Sequence, residues 1–97
     1  MTNELCNKLI IKNQLGLHAR AAAKFVKIVE RFDAEVTVTM GDTSVSACSI
    51  VGLMMLTAEL GKEIQVCAEG PESQQVLDAV AGLVSSGFHE GAIESVV

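Results

Sequence analysis

Apolar and polar residues change their period several times along this chain, and each change marks an element. Glu4 to Lys12, with the cluster Leu9-Ile10-Ile11, reads as a first strand, and Asn13-Gln14-Leu15-Gly16 interrupts it with Gly16 as the breaker. From Ala19 to about Phe32 the apolar positions Ala22, Val26 and Val29 recur at spacings of four and three, which predicts an amphipathic helix. Glu35 to Met40 alternates and is β-branched, so it is a strand; Gly41-Asp42 turns the chain, and Thr43 to Ala47 returns as a short partner. Ser49 stands as the N-cap of a second helix, Ile50 to about Leu60, closed by Gly61. Glu63 to Ala68 alternates again as a fourth strand. Gly70-Pro71-Glu72 opens a last helix with Pro71 at its first position. That helix buries Val76, Leu77, Val80, Leu83 and Val84 and stops at Gly87. The order βαββαβα, with short connections and one hairpin, predicts an α+β fold: a four-stranded antiparallel sheet with three helices on one face. No linker or repeat divides residues 1–88, which form one domain; residues 89–97 lack a period and are expected to be a flexible tail.

Composition narrows the function. The 97 residues are 49% hydrophobic and 20% charged, a folded composition, and with no Trp, no Tyr and three Phe the core must be aliphatic. The same scarcity of aromatics, with a net charge of −5, argues against nucleic acid as a partner. Cys6, Cys48 and Cys67 are far apart and lie in apolar stretches, where free cysteine behaves as a small hydrophobe. Neither a zinc site nor a redox pair is signalled, and a reducing, cytoplasmic setting is expected. The N-terminal residues lack a signal-peptide pattern, and the run from Ile50 to Leu56 is far too short to span a bilayer, so no membrane partner is expected.

The most informative segment is Gly16-Leu17-His18-Ala19-Arg20-Ala21-Ala22-Ala23, which puts an imidazole at the start of a helix, directly after a glycine-bearing loop. The first turn of a helix offers unpaired N–H groups and the positive end of the macrodipole, a ready phosphate site. A neutral imidazole nitrogen beside such a site is a competent nucleophile, and Arg20 adds a forked set of donors. From the local pattern alone, capping by His18 is the plainer reading. A metal is not expected, because His18 has no His or Cys at ligand spacing.

Gly16-Leu17-His18-Ala19-Arg20 resembles the phosphorylation-site signature of HPr, the histidine-containing phosphocarrier family of the bacterial phosphotransferase system. Val45-Ser46-Ala47-Cys48-Ser49-Ile50-Val51-Gly52-Leu53-Met54-Met55-Leu56 is similar to that family's serine-bearing helix, and the likeness runs from about residue 4 to 88. The resemblance implies an HPr-like open-faced β-sandwich. It implies that His18 accepts a phosphoryl group on Nδ1 from enzyme I, itself charged by phosphoenolpyruvate, and passes it to an EIIA-type protein. Arg20 would steady the phosphoryl oxygens, and backbone N–H groups of Ala19, Arg20 and Ala21 would complete the cradle. No cofactor is implied, and the chain would act as a monomeric carrier rather than a stand-alone enzyme. Many family members have proline where this chain has Ala21, which restores one N–H donor near the phosphate site. Ser49 matches a serine that a dedicated kinase phosphorylates, and a phosphorylase resets, in some members. This chain has Cys48 where many such carriers have lysine, so the cap remains the plainer role. The segments around Ser49 and Ser86-Gly87-Phe88 look nearer to the nitrogen-related (NPr) branch than to sugar-uptake carriers.

Docking has its own signals. Arg20, Lys24, Lys27 and Arg31 are spaced at four, three and four and line one helical stripe, four of the seven basic residues of an acidic chain. An ordinary solvated face explains such a run, as does a steering patch for acidic partners. The second helix is apolar nearly all round, and an open-faced sandwich leaves some of Ile50, Val51 and Met54 exposed near His18. Three functions stay open at this point: a phosphocarrier; a regulatory interaction protein whose phosphorylation at His18 or Ser49 is sensed in carbon or nitrogen control; and a module that binds an anion at His18 non-covalently.

Overall fold

Strand side chains alternate between two faces, so a sheet covered on one side buries every second residue. The computed structural model, which describes residues 4–89, shows this on its central strands. Its elements are β1 (Leu5–Ile10), α1 (Ala19–Val29), β2 (Glu35–Met40), β3 (Thr43–Ser46), α2 (Ile50–Met55), β4 (Glu63–Glu69) and α3 (Ser73–Ser85), followed by a 3-10 turn at Gly87–His89. The sheet order is β1-β4-β2-β3, antiparallel throughout. Val36 and Val38 of β2 and Ile64, Val66 and Ala68 of β4 are buried on one face. The helices cover that face with Ala21, Ala22, Phe25, Val26 and Val29 from α1, Leu53 from α2, and Val76, Leu77, Val80, Leu83 and Val84 from α3. Phe88, behind Gly87, is fully buried and closes the core. The predicted order, sheet and helix layer are all present.

Three expectations on element ends are corrected. Helix α1 stops at Val29 instead of about Phe32, because the N–H groups of Arg31 and Phe32 reach back only three residues, to Ile28 and Val29, and tighten the turn. Helix α2 ends at Met55 instead of about Leu60. Leu56 and Thr57 likewise bond three residues back, Thr57 adopts φ 51°, and the chain peels away toward the loop before α1. Pro71 is not the first residue of α3, which begins at Ser73. Glu72 is held instead by Asp33: its N–H donates to the Asp33 carbonyl and its Oε1 accepts from the Asp33 N–H at 2.7 Å. Gly70, at φ 133°, lets these loops meet, since a Cβ there would lie 3.0 Å from Ala34 Cα and Asp33 O. Of the flexible tail expected over 89–97, His89 ends the 3-10 turn, and residues 90–97 lie outside the described residues.

The cysteine reading is corrected as well. Cys6 and Cys67 face each other across β1 and β4 and form a disulfide. They share the uncovered face of the sheet, with Cys6 exposed and Cys67 half-buried. Cys48 is free, but it is exposed rather than packed. Neighbouring strands could be expected to bring Cys6 and Cys67 close, but 61 residues part them and only the strand register places their sulfurs together. No described helix is long and apolar enough to cross a membrane.

Candidate functional site

The segment from Ile11 to His18 is a loop held at several points, and each hold fixes where the imidazole stands. Ile11 donates to the Lys62 carbonyl and accepts from the Gly61 N–H at 2.8 Å, tying the end of β1 to the entry of β4. Buried Asn13 donates through Nδ2 to the Gly16 carbonyl at 2.8 Å, while its own carbonyl accepts from the Gly16 N–H. Gly16 is required here. It sits at φ 67°, and a Cβ on it would overlap the Ala58 carbonyl oxygen. That same oxygen accepts the Leu17 N–H at 2.9 Å. The segment after α2 therefore braces the residue preceding His18.

His18 is the N-cap of α1, with extended φ −79° and ψ 179°. Its carbonyl accepts from the Ala22 N–H at 2.8 Å and starts the helical ladder. Its Nδ1 accepts from the Arg20 N–H at 3.3 Å. A ring nitrogen that accepts a backbone N–H carries no proton, so the other nitrogen, Nε2, bears it in the neutral ring. The half-buried imidazole thus presents an Nδ1 lone pair at the positive end of a helix. Ala19 and Arg20 are exposed and Ala21 is buried; all three supply first-turn amides. The geometry can do two things: cap the helix, as it does here, or direct Nδ1 at an electrophile whose oxygens the amides receive.

The other sequence candidates fall into two groups. Ser49 caps α2, with Oγ accepting from the Gly52 N–H at 2.9 Å. Next to it Ile50, Val51 and Met54 are exposed on α2, as expected, while Leu53 is buried. Of the basic stripe, Arg20, Lys27 and Arg31 are exposed. Lys24 differs: its Nζ donates to the Phe88 carbonyl at 2.7 Å, so its ammonium is used to hold the 3-10 turn that follows α3 against α1. Two exposed apolar residues were missed. Leu15, 65% exposed, stands in the loop before His18, and Met55, 71% exposed, ends α2. An apolar residue inside a polar turn was the available signal for Leu15; Met55 was absorbed into a helix read as longer. As for metals, Glu4, Cys6 and Cys67 bring ligand-type atoms within 4.8 Å of one another, but the two sulfurs are bonded to each other.

Residues 5–86 match the family model described as the PTS HPr component phosphorylation site. The chain is 40% identical over 89 residues to phosphocarrier protein NPr of Shewanella violacea, covering 92% of this chain and 98% of that one. It is also 40% identical over 81 residues to phosphocarrier protein HPr of Cupriavidus necator, covering 84% and 91%. Among solved structures, HPr-C-His from Thermoanaerobacter tengcongensis superposes with a TM-score of 0.85 at 35% identity, covering 89% of this chain and 97% of that one.

Proposed function

This chain belongs to the HPr family of phosphotransferase-system proteins, and on that footing we propose that it carries a phosphoryl group on His18. The observation that carries the reading is the bond from the Arg20 N–H to Nδ1, which leaves that nitrogen unprotonated at the head of α1. In the transfer, the Nδ1 lone pair attacks phosphorus and the bond from phosphorus to the donor's histidine breaks. The imidazole gives up the Arg20 amide as it does so. That amide, with those of Ala19 and Ala21, then turns to the phosphoryl oxygens, and the Arg20 guanidinium adds charge from outside. Such a cradle supplies what phosphoryl transfer asks of a protein, positioning and charge stabilisation. The chain contributes the acceptor nitrogen and the partners contribute the rest of the chemistry, so it works as a carrier and not as a stand-alone enzyme.

The donor is enzyme I, charged by phosphoenolpyruvate, and the acceptor is an EIIA-type protein of the nitrogen-related branch. The exposed Ile50, Val51, Met54 and Met55, with Leu15 in the loop before His18, offer both partners an apolar surface. Arg20 and Lys27 supply positive charge on α1 in a chain of net charge −5. The test is to incubate the protein with enzyme I, phosphoenolpyruvate and Mg²⁺ and compare intact masses of wild type and His18→Ala. One acid-labile phosphoryl group on wild type alone is expected, followed by its loss when EIIA is added; no gain on wild type returns His18 to capping. A second reading rests on Ser49, whose hydroxyl stands beside exposed Ile50 and Val51. A serine kinase placing phosphate there would add charge to the docking face and make the chain a regulatory signal. An acid-stable phosphoryl group at Ser49 distinguishes that reading from the first.

A further inference from the structure

The strand leading to the His18 loop has the weakest apolar anchoring of the three longer strands, β1, β2 and β4. None of the six residues of β1 is buried, whereas β4 buries Ile64, Val66 and Ala68 and β2 buries Val36 and Val38. It is also an edge strand, paired only with β4. Asn7, a polar residue, is half-buried opposite Val66, and Leu5 is exposed opposite Ala68. What β1 lacks in packing it has in a covalent tie, for Cys6 lies opposite Cys67 with their Cα atoms 4.0 Å apart. The tie stands on the open face of the sheet, where no helix covers it, and Cys6 is exposed.

We propose that Cys6 and Cys67 form a reversible thiol–disulfide site for small disulfides of the glutathione class, whose closing clamps β1 to β4 and whose opening releases it. In closing, the Cys6 thiolate attacks one sulfur of the small disulfide, forming a mixed disulfide and expelling one small thiolate. The Cys67 thiolate then attacks the Cys6 sulfur and expels the second. The protein gives up two electrons and two protons, and the small disulfide becomes two thiols. Opening runs the same steps backward, with a small thiolate attacking at exposed Cys6. Exposure is what separates such a bond from a buried staple, because exchange needs an in-line approach to sulfur. A closed loop of this length removes much conformational freedom from the unfolded chain, so the clamp acts on stability as well as on β1.

The experiment uses the full chain with Cys48→Ser, which leaves Cys6 and Cys67 as the two cysteines. It is equilibrated in mixtures of reduced and oxidised glutathione, trapped with an alkylating agent and weighed intact. The expected result is two species interconverting across the mixtures, one with two alkylated thiols and one with none. In the thiol form, β1 amides should exchange hydrogen about tenfold faster or more, with β2 less affected. Melting of the thiol form should fall by about 10 °C or more. A second variant, Cys67→Ser on the same background, should match the thiol form in both readouts in reducing mixtures and, lacking the resolving thiolate, stop at a Cys6–glutathione mixed disulfide in oxidising ones. Thiols that stay free in every mixture, a bond that glutathione cannot open, or equal β1 exchange in the two forms would each overturn the proposal.

Discussion

Helices α1 and α2 both begin at a residue whose side chain caps them, yet the caps differ in kind. At α2, Ser49 Oγ takes the Gly52 N–H at 2.9 Å, with a hydroxyl that is among the best N-caps. At α1, His18 Nδ1 takes the Arg20 N–H at 3.3 Å, a longer bond from a residue outside the favoured set. A serine there would cap better. What the imidazole adds is a nucleophilic lone pair, held at the same place by the same bond. On the proposed function, one cap contributes stability and the other chemistry. The loop before His18 is braced from outside by the Ala58 carbonyl and from within by Asn13, while Ser49 follows directly from the β3 hairpin.

Substitutions at and around the two caps should act differently. The largest effect belongs to His18→Ala: phosphoryl uptake from enzyme I should disappear from the intact mass, while urea unfolding loses about 1 kcal/mol or less, the worth of a modest cap. A large loss of stability would make His18 a structural cap after all. Next comes Gly16→Ala, which forces a Cβ toward the Ala58 carbonyl at positive φ. It should cost about 3 kcal/mol in the same unfolding measurement, roughly a hundredfold in the folded-to-unfolded ratio. Arg20→Ala leaves the backbone amide in place and removes only the guanidinium, so uptake should slow about tenfold in a rapid-quench assay, with unfolding unchanged. Smallest is Ser49→Ala, expected to cost about 1 kcal/mol of stability and to leave His18 phosphorylation at the wild-type rate. If Ser49→Ala slowed transfer as much as Arg20→Ala, the division between the two caps would fail.

Much of the site was legible because its signals are local. A glycine before an imidazole before a helical period needs no tertiary knowledge, and Ser49 as a cap followed from one residue and the apolar run behind it. Lys24 shows the limit. Its spacing on α1 matches Arg20 and Lys27, and the same spacing would hold whether its ammonium met solvent or, as here, the Phe88 carbonyl 64 residues away. The exposed apolar face of α2 was legible as a helix with too many apolar positions for one buried side. Which positions face out depended on how α2 sits on α1.

Element type and order came from periodicity and punctuation, since alternation, helical spacing and glycine at positive φ act within a few residues. Helix ends did not. Met55 rather than Leu60 closes α2 because Ala58 must meet Leu17, and Ser73 rather than Pro71 opens α3 because Asp33 holds Glu72. The cysteines carry the same lesson furthest. Cys6 and Cys67 are ordinary strand residues in sequence, and only the register of β1 on β4 makes them partners. Sequence alone determined which elements form, because backbone and neighbouring side chains decide that; tertiary structure decided where they stop and what they join, because those choices belong to residues distant along the chain.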